Sequence, residues 1–382
     1  MSINCKAAII REIGKSTPYS SSIPLGVEEV SLEPPRAEEV LVKVAGAGLC
    51  NSDLAIISGK RPRPLPLAMG HEGSGEIVEL GEGVRDLHVG DHVVFQFSAS
   101  CGRCEFCLSG RPSICINARQ ASNNGELMGG GTRIRDADNN SVLHHAGVSC
   151  FAQYTVVDRG SIVVVDKNVP LSDSALFGCA VMTGAGAVIN TAKVATGEKV
   201  AVIGLGGVGL NGVMAAKLCG ASQIIAIDID DKKLALAREL GATHGVNAGS
   251  ATCVEEVMDI TDGGVHHAIE LAGVMAAMET GWNILGRGGK LVTAGLTPAA
   301  SKFAFQHDDL VSSEKSIVGS YMGSCVPVRD IPKFIELQQS GRMPVEKLID
   351  RRIGFDEINA GFDLLAKGAA LRQILVPHAE HN

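Results

Sequence analysis

Residues Lys199–Asp228 read KVAVIGLGGVGLNGVMAAKLCGASQIIAID. The stretch opens on a short apolar run, Val200-Ala201-Val202-Ile203, bounded by charge and glycine, which predicts a buried strand. Gly204-Leu205-Gly206-Gly207-Val208-Gly209 follows at once. An apolar helical pattern then runs from Leu210 to Cys219 and stops at Gly220. A second apolar run, Gln223–Ile227, ends in Asp228. A lone G-x-G-x-x-G is weak evidence, because glycine-rich turns are common. Here strand, glycine turn, helix, strand and acid stand in the order that dinucleotide binding requires. The plainer reading of the same glycines is a parallel-sheet turn that binds nothing.

The chemistry follows from that order. Gly204 permits the tight turn, and Gly206 lets the backbone approach a pyrophosphate on the positive end of the helix. Gly207 and Val208 complete the turn, and Gly209 lets helix and sheet pack closely. Asp228 would accept hydrogen bonds from ribose hydroxyls and repel a ribose phosphate, with Asp230 and Asp231 close behind. The reading therefore favours NAD over NADP.

At 382 residues the chain is too long for one ordinary core and predicts two domains or so. A net charge of −8 argues against a nucleic-acid partner. No apolar run reaches membrane-spanning length, and Met1-Ser2-Ile3-Asn4-Cys5-Lys6 has no signal-peptide character, so the expectation is a cytoplasmic protein with no membrane partner. Eleven cysteines in a reducing compartment are to be read for metal before disulfides.

Before Val181 the pattern is mostly β. Short strands are expected at Lys6–Ile10, Val27–Val30, Glu39–Val44, Gly75–Leu80 and Asp91–Phe97, and Pro34-Pro35 and the 61–66 run RPRPLP break the chain into loops. Three segments carry candidate chemistry: Gly48-Leu49-Cys50-Asn51-Ser52-Asp53, Gly70-His71-Glu72-Gly73 and Phe177-Gly178-Cys179-Ala180. Taken singly, Cys50 and Cys179 could be small buried hydrophobes and His71 a hydrogen-bonded core histidine. Together, two thiols and an imidazole make an open three-ligand zinc set that leaves a fourth position free. Cys101, Cys104, Cys107 and Cys115, spaced C-x2-C-x2-C-x7-C, suit a closed structural zinc, and an iron–sulfur cluster is the competing reading of that spacing. Cys5, Cys150, Cys219, Cys253 and Cys325 are left as structural thiols.

These motifs, in this order, resemble the zinc-dependent, medium-chain alcohol dehydrogenase family: GLCNSD, GHEGSGEI, the four-cysteine lobe, GCAVMTGAG, GLGGVG, IDID and the closing Leu371-Arg372-Gln373-Ile374-Leu375. Two thiols and a histidine are also the best-known catalytic zinc set of that family, so the metal reading leans on the resemblance as well. The likeness covers nearly the whole chain and is nearest a class III-like, long-loop, dimeric-type branch. It implies an α/β fold: a GroES-like, mostly β catalytic domain over 1–182 and 323–382, and a doubly wound Rossmann domain over 183–322. The structural zinc lobe would span about 98–118. Strands at His266–Gly273, Gly289–Gly295 and Lys315–Ser320 would complete the Rossmann sheet.

The resemblance also implies roles. Cys50, His71 and Cys179 match the catalytic zinc ligands, Glu72 the acid that can approach the metal, and Asp53 the carboxylate that orients the zinc-bound imidazole. Ser52 matches the hydroxyl that hydrogen-bonds the substrate oxygen, and Phe97 an aromatic wall of its pocket. Thr183 matches a nicotinamide contact, Lys233 lies near the adenosine ribose, and Arg372 is placed for the pyrophosphate. Two departures stand out. Asn51 replaces the Arg or His many members set against the pyrophosphate, and Ala55 replaces a His that passes the proton to solvent. Arg119 matches an arginine of the glutathione-dependent members, yet the acid of that class has no counterpart in Ser58-Gly59-Lys60-Arg61.

The sequence therefore predicts an oxidoreductase that holds NAD and two zinc ions per chain and interconverts a small-molecule alcohol with its aldehyde or ketone, as a homodimer or tetramer. A dehydrogenase of S-hydroxymethyl or S-nitroso thiols is the alternative enzyme. A non-catalytic dinucleotide sensor would be marked by a lost zinc ligand, and all three are present.

Overall fold

The computed structural model describes residues 2–298 and 300–378, which divide into two compact units. The first comprises 1–179, 326–335 and 346–382, and the second 180–325 and 336–345. The boundaries fall at 179/180 and 325/326, against the expected 182/183 and 322/323. The first shift has a local cause: Ala180–Gly186 is already a helix, and it packs on the Gly207–Leu218 helix so closely that a Cβ on Gly184 would lie 2.0 Å from the Val208 carbonyl.

The second unit is built on a six-stranded parallel sheet. Its order is His244–Asn247, Gln223–Asp228, Lys199–Ile203, Val265–Glu270, Leu285–Thr293, Ser316–Gly319. Numbered along the chain this is 3-2-1-4-5-6, the doubly wound arrangement in which ligands bind where the order reverses. The reversal lies between Lys199–Ile203 and Val265–Glu270, and Gly204 sits directly beyond it. The strand cores Val200–Ile203 and Ile224–Ile227 are buried, as helix-covered parallel strands must be.

The first unit contains a seven-stranded sheet and a small closed barrel. In the sheet, Glu39–Gly48 pairs with Gly73–Leu80, Tyr154–Asp158 and Arg372–Leu375, so the C-terminal segment is a structural part of this unit. The barrel closes through Ile3–Ile10, Leu25–Leu32, Ile134–Arg135, Ser141–His144 and Leu67–Ala68.

The long 115–151 stretch carries regular structure of its own. It contains the Ile116–Asn124 helix and a hairpin, Ile134–Arg135 with Ser141–His144, that closes the barrel. Strands of two and four residues are too short to show alternation. The turn is set by Asp136, whose Oδ1 accepts from the backbone of Asp138 and Asn140 at 3.1 and 2.8 Å.

One buried ion pair fixes this region. Arg133, fully buried, donates from Nε to Glu39 Oε2 at 2.8 Å and from Nη2 to Oε1 at 2.5 Å. Its remaining donors reach the carbonyls of Thr132 and Gly130. Removing one partner of such a pair leaves an uncompensated buried charge, which costs about 3–5 kcal/mol. Arg133→Met should therefore lower the urea midpoint markedly, and adding Glu39→Leu should recover much of the loss. A double variant no more stable than Arg133→Met would contradict this reading.

Candidate active site

Cys50 begins the site because it begins a helix. It takes extended φ/ψ (−124°, 152°) just before Asn51–Ile57, and Asp53 at the third helical position returns a carboxylate to it, accepting from Cys50 N at 3.1 Å. The other carboxylate oxygen of Asp53 receives the His71 Nδ1–H at 3.0 Å. With Nδ1 carrying the proton, the lone pair of His71 is on Nε2, which lies 3.6 Å from Cys179 Sγ. Cys179 follows the Asp173–Gly178 turn, pressed so closely on the sheet that a Cβ at Gly178 would lie 2.0 Å from the Phe95 carbonyl.

Glu72 completes a buried group with Cys50, His71 and Cys179, whose ligand atoms all lie within 4.8 Å of one another. Arg372 holds one Glu72 oxygen at 3.1 Å, while Glu72 Oε1 is buried without a hydrogen-bond partner. A hard-to-satisfy carboxylate beside two thiols and an imidazole is a donor set that fits a zinc ion. The electrostatics agree. Cys50 is held well below the usual thiol value, first by the hydrogen bond from Cys179, which is itself pushed up by that same contact. Burial alone would raise Asp53, yet His71 and His145 hold it well below the usual carboxylate range. Burial raises Glu72 to about 7.

Cys101, Cys104, Cys107 and Cys115 likewise converge within 4.8 Å, with Cys101 and Cys107 sulfurs 3.9 Å apart and Cys104 and Cys115 sulfurs 3.9 Å apart. Backbone hydrogen bonds at Cys107 and Ile116 bring the Cys104 thiol down to about 6. Only Ala99, Cys115 and Ala118 are buried in the local apolar cluster, so the lobe has little core of its own and four thiolates fit a closed metal site.

In the second unit, Gly204 has φ +87°, and a Cβ there would lie 2.7 Å from Ala272. A Cβ at Gly209 would lie 1.8 Å from the Gly204 carbonyl, while the space over Gly206 is open to 4 Å. That opening stands at the start of the Gly207–Leu218 helix, where Val208 also lies, and suits a phosphate. Asp228 is buried, with Oδ2 on Leu205 N at 2.6 Å and Oδ1 on Asp230 N at 3.0 Å. These bonds leave lone pairs for ribose hydroxyls, so the cradle fits a dinucleotide.

Comparison with known proteins gives the same picture. Residues 36–167 match the alcohol dehydrogenase GroES-like domain family, and residues 207–340 match the zinc-binding dehydrogenase family. S-(hydroxymethyl)glutathione dehydrogenase of Saccharomyces cerevisiae is 36% identical, over 98% of this chain and 96% of its own. The crystal structure of an alcohol dehydrogenase zinc-binding domain protein from Burkholderia ambifaria is 35% identical, with a TM-score of 0.93 over 99% of this chain and 100% of that one. Benzyl alcohol dehydrogenase from Acinetobacter calcoaceticus is also 35% identical, with a TM-score of 0.89 over 98% of this chain and 99% of that one. The chain belongs to the zinc-dependent alcohol dehydrogenase family. It is an oxidoreductase of CH–OH groups on small molecules that uses zinc and NAD.

Within this alcohol dehydrogenase, Ser52 and Ala55 are partly exposed on the Asn51–Ile57 helix and Asn51 is exposed. Phe97 meets the His71 ring edge-on, with centroids 5.2 Å apart. Thr183 and Lys233 are partly exposed on the Ala180–Gly186 and Asp231–Leu240 helices, and Arg119 is exposed on Ile116–Asn124. Arg372, expected at a pyrophosphate, instead ion-pairs with Glu72. Sequence reading missed His145, which lies against Asp53 and His71. No local signature marks it, since the Ser141–His144 strand brings it there through the tertiary fold. Among the described residues no helix is long and apolar enough to cross a membrane.

Cys104→Ser should lose one of two zincs and lower the melting temperature, with turnover per folded molecule nearly kept, because a closed site contributes folding energy. Loss of turnover without loss of stability, read by calorimetry alongside metal analysis, would contradict the structural assignment.

Proposed function

We propose that the alcohol binds at Cys50, His71 and Cys179 and is oxidised reversibly to an aldehyde or ketone. The observation that carries this is the Asp53–His71 bond, which turns Nε2 toward Cys179. Zinc held by these three residues supplies a Lewis acid for the alcohol oxygen, and NAD supplies the hydride acceptor. Ser52, in the same turn as Cys50 and Asp53, accepts a hydrogen bond from the substrate hydroxyl and relays its proton by giving up its own. Ala55 offers no group to carry that proton onward, so it passes to water. Phe97 walls the substrate side and keeps it dry. Glu72, paired to Arg372, is the reserve carboxylate beside the metal ligands.

We assign NAD binding to the second unit, 180–325 with 336–345, and catalysis to the first, with its zinc lobe at about 98–118. Gly204, Gly206, Gly207, Val208 and Gly209 form the pyrophosphate turn and Asp228 holds the adenosine ribose, with Lys233 near it and Thr183 at the nicotinamide. Asn51 stands in for a lost charge contact, and Arg372 keeps further N–H donors for an anion. A cytoplasmic homodimer or tetramer completes the reading. Eleven unpaired cysteines support the reducing compartment, and the resemblance to the long-loop, dimeric-type branch supports the dimer.

A second reading is a dehydrogenase of an S-hydroxymethyl thiol. The yeast relative and the exposed Arg119 favour it. An alcohol panel read by NADH absorbance, with and without glutathione or mycothiol, separates the two, because only the second requires the thiol for formaldehyde oxidation. On the best alcohol, Ser52→Ala should slow turnover by roughly 10²–10⁴-fold with zinc content unchanged, and Ser52→Thr should keep most activity. A fully active Ser52→Ala enzyme would refute the proton route.

A further inference from the structure

The segment after Ser141–His144 is held in an uncommon backbone. Ala146, Gly147 and Ser149 have φ of 56°, 67° and 50°, and two of the three are not glycine. Such conformations persist only where surrounding contacts over-determine them, and they cluster at functional sites. Here the contacts run to the segment that leads into His71. His145 N donates to the Ala68 carbonyl at 3.2 Å and to Ser149 Oγ at 2.9 Å, and Ser149 Oγ donates to the same carbonyl at 2.8 Å. Cys150 N and Phe151 N donate to the carbonyls of Gly70 and Met69. The His145 carbonyl accepts from Val148 and Ser149.

The stitched loop delivers a buried imidazole. His145 is 7% exposed, its ring centroid is 5.2 Å from that of His71, and Nδ1 lies 3.3 Å from Asp53 Oδ1. That nitrogen is buried without a hydrogen-bond partner, and the Asp53 carboxylate stands 3.3 Å from it. The neighbouring His144 differs, because its Nε2 accepts from Arg133 N at 3.2 Å and it belongs to the barrel.

We propose that His145 is a positioning residue: it holds the Asp53 carboxylate in the plane that keeps His71 Nε2 aimed at the thiols of Cys50 and Cys179. This rests on the reading of those three side chains as a zinc set. Groups that orient a metal-bound imidazole typically change metal retention or activity by about 10–100-fold when lost.

The test replaces His145 in the full, zinc-loaded chain. His145→Phe keeps the ring shape without Nδ1, and His145→Asn puts an amide near the place of Nδ1. Release of zinc to a chelator, and the visible bands after cobalt replaces that zinc, are read beside the melting temperature. His145→Phe should speed loss of one zinc by about 10–100-fold and shift the cobalt bands, while the four-cysteine zinc stays and melting changes little. His145→Asn should restore most of the retention. Parent-like release and spectrum in His145→Phe would overturn the inference, as would an Asn variant no better than Phe. If His145→Phe does not fold, His145→Leu takes its place. Cys50→Ala separates the premise: if it keeps both zincs the metal reading fails, and if it loses one while His145→Phe keeps both only the role of His145 fails.

Discussion

Asp53 is the constraint on which the site depends. It is a fully buried carboxylate, and burying such a charge is affordable only when it is paired and hydrogen-bonded. One oxygen accepts from the Cys50 backbone and the other from His71, with His145 at 3.3 Å. The same side chain therefore caps the helix that begins at Cys50 and fixes the tautomer of His71. Because Cys50 and Asp53 lie three residues apart, one helix start sets both a thiol of the candidate metal site and the carboxylate that orients His71.

Close packing brings the remaining parts to that point. A Cβ at Gly70 would lie 2.5 Å from Phe151 N, and one at Gly48 would lie 2.9 Å from the Glu72 carboxyl carbon. The glycines flanking His71 and Cys50 thus let three backbone segments meet where bulkier residues would hold them apart. Arg372 answers the charge this creates, with its Nη1 on Glu72 and its strand paired to Gly48. The C-terminal segment is part of the catalytic unit for electrostatic as well as structural reasons.

What was legible in the sequence is what is local. The turn from Gly204 to Gly209 and the runs on either side could be read directly, because a buried parallel strand is a continuous apolar run and the helix after it keeps its period. The structure extends that helix back to Gly207 and ends it at Leu218. The candidate metal donors could be singled out because residue type and motif order carry them. The hairpin at 134–144 was not, since its strands are too short to alternate and its pairing is set by the barrel. His145 and the Glu72–Arg372 pair were hidden for a related reason: they join residues 92 and 300 positions apart, and no spacing rule spans such distances.

One chain holds two chemically different sets of candidate metal donors, one closed by four thiols and one open with two thiols and an imidazole. Zinc-edge X-ray absorption on freshly purified protein measures this directly. The account expects a mixture of a four-sulfur site and a site with two sulfurs and one histidine nitrogen, and changing Cys104 to Ser should leave chiefly the second. A spectrum in which every zinc has four sulfurs, or only nitrogen and oxygen neighbours, would contradict it.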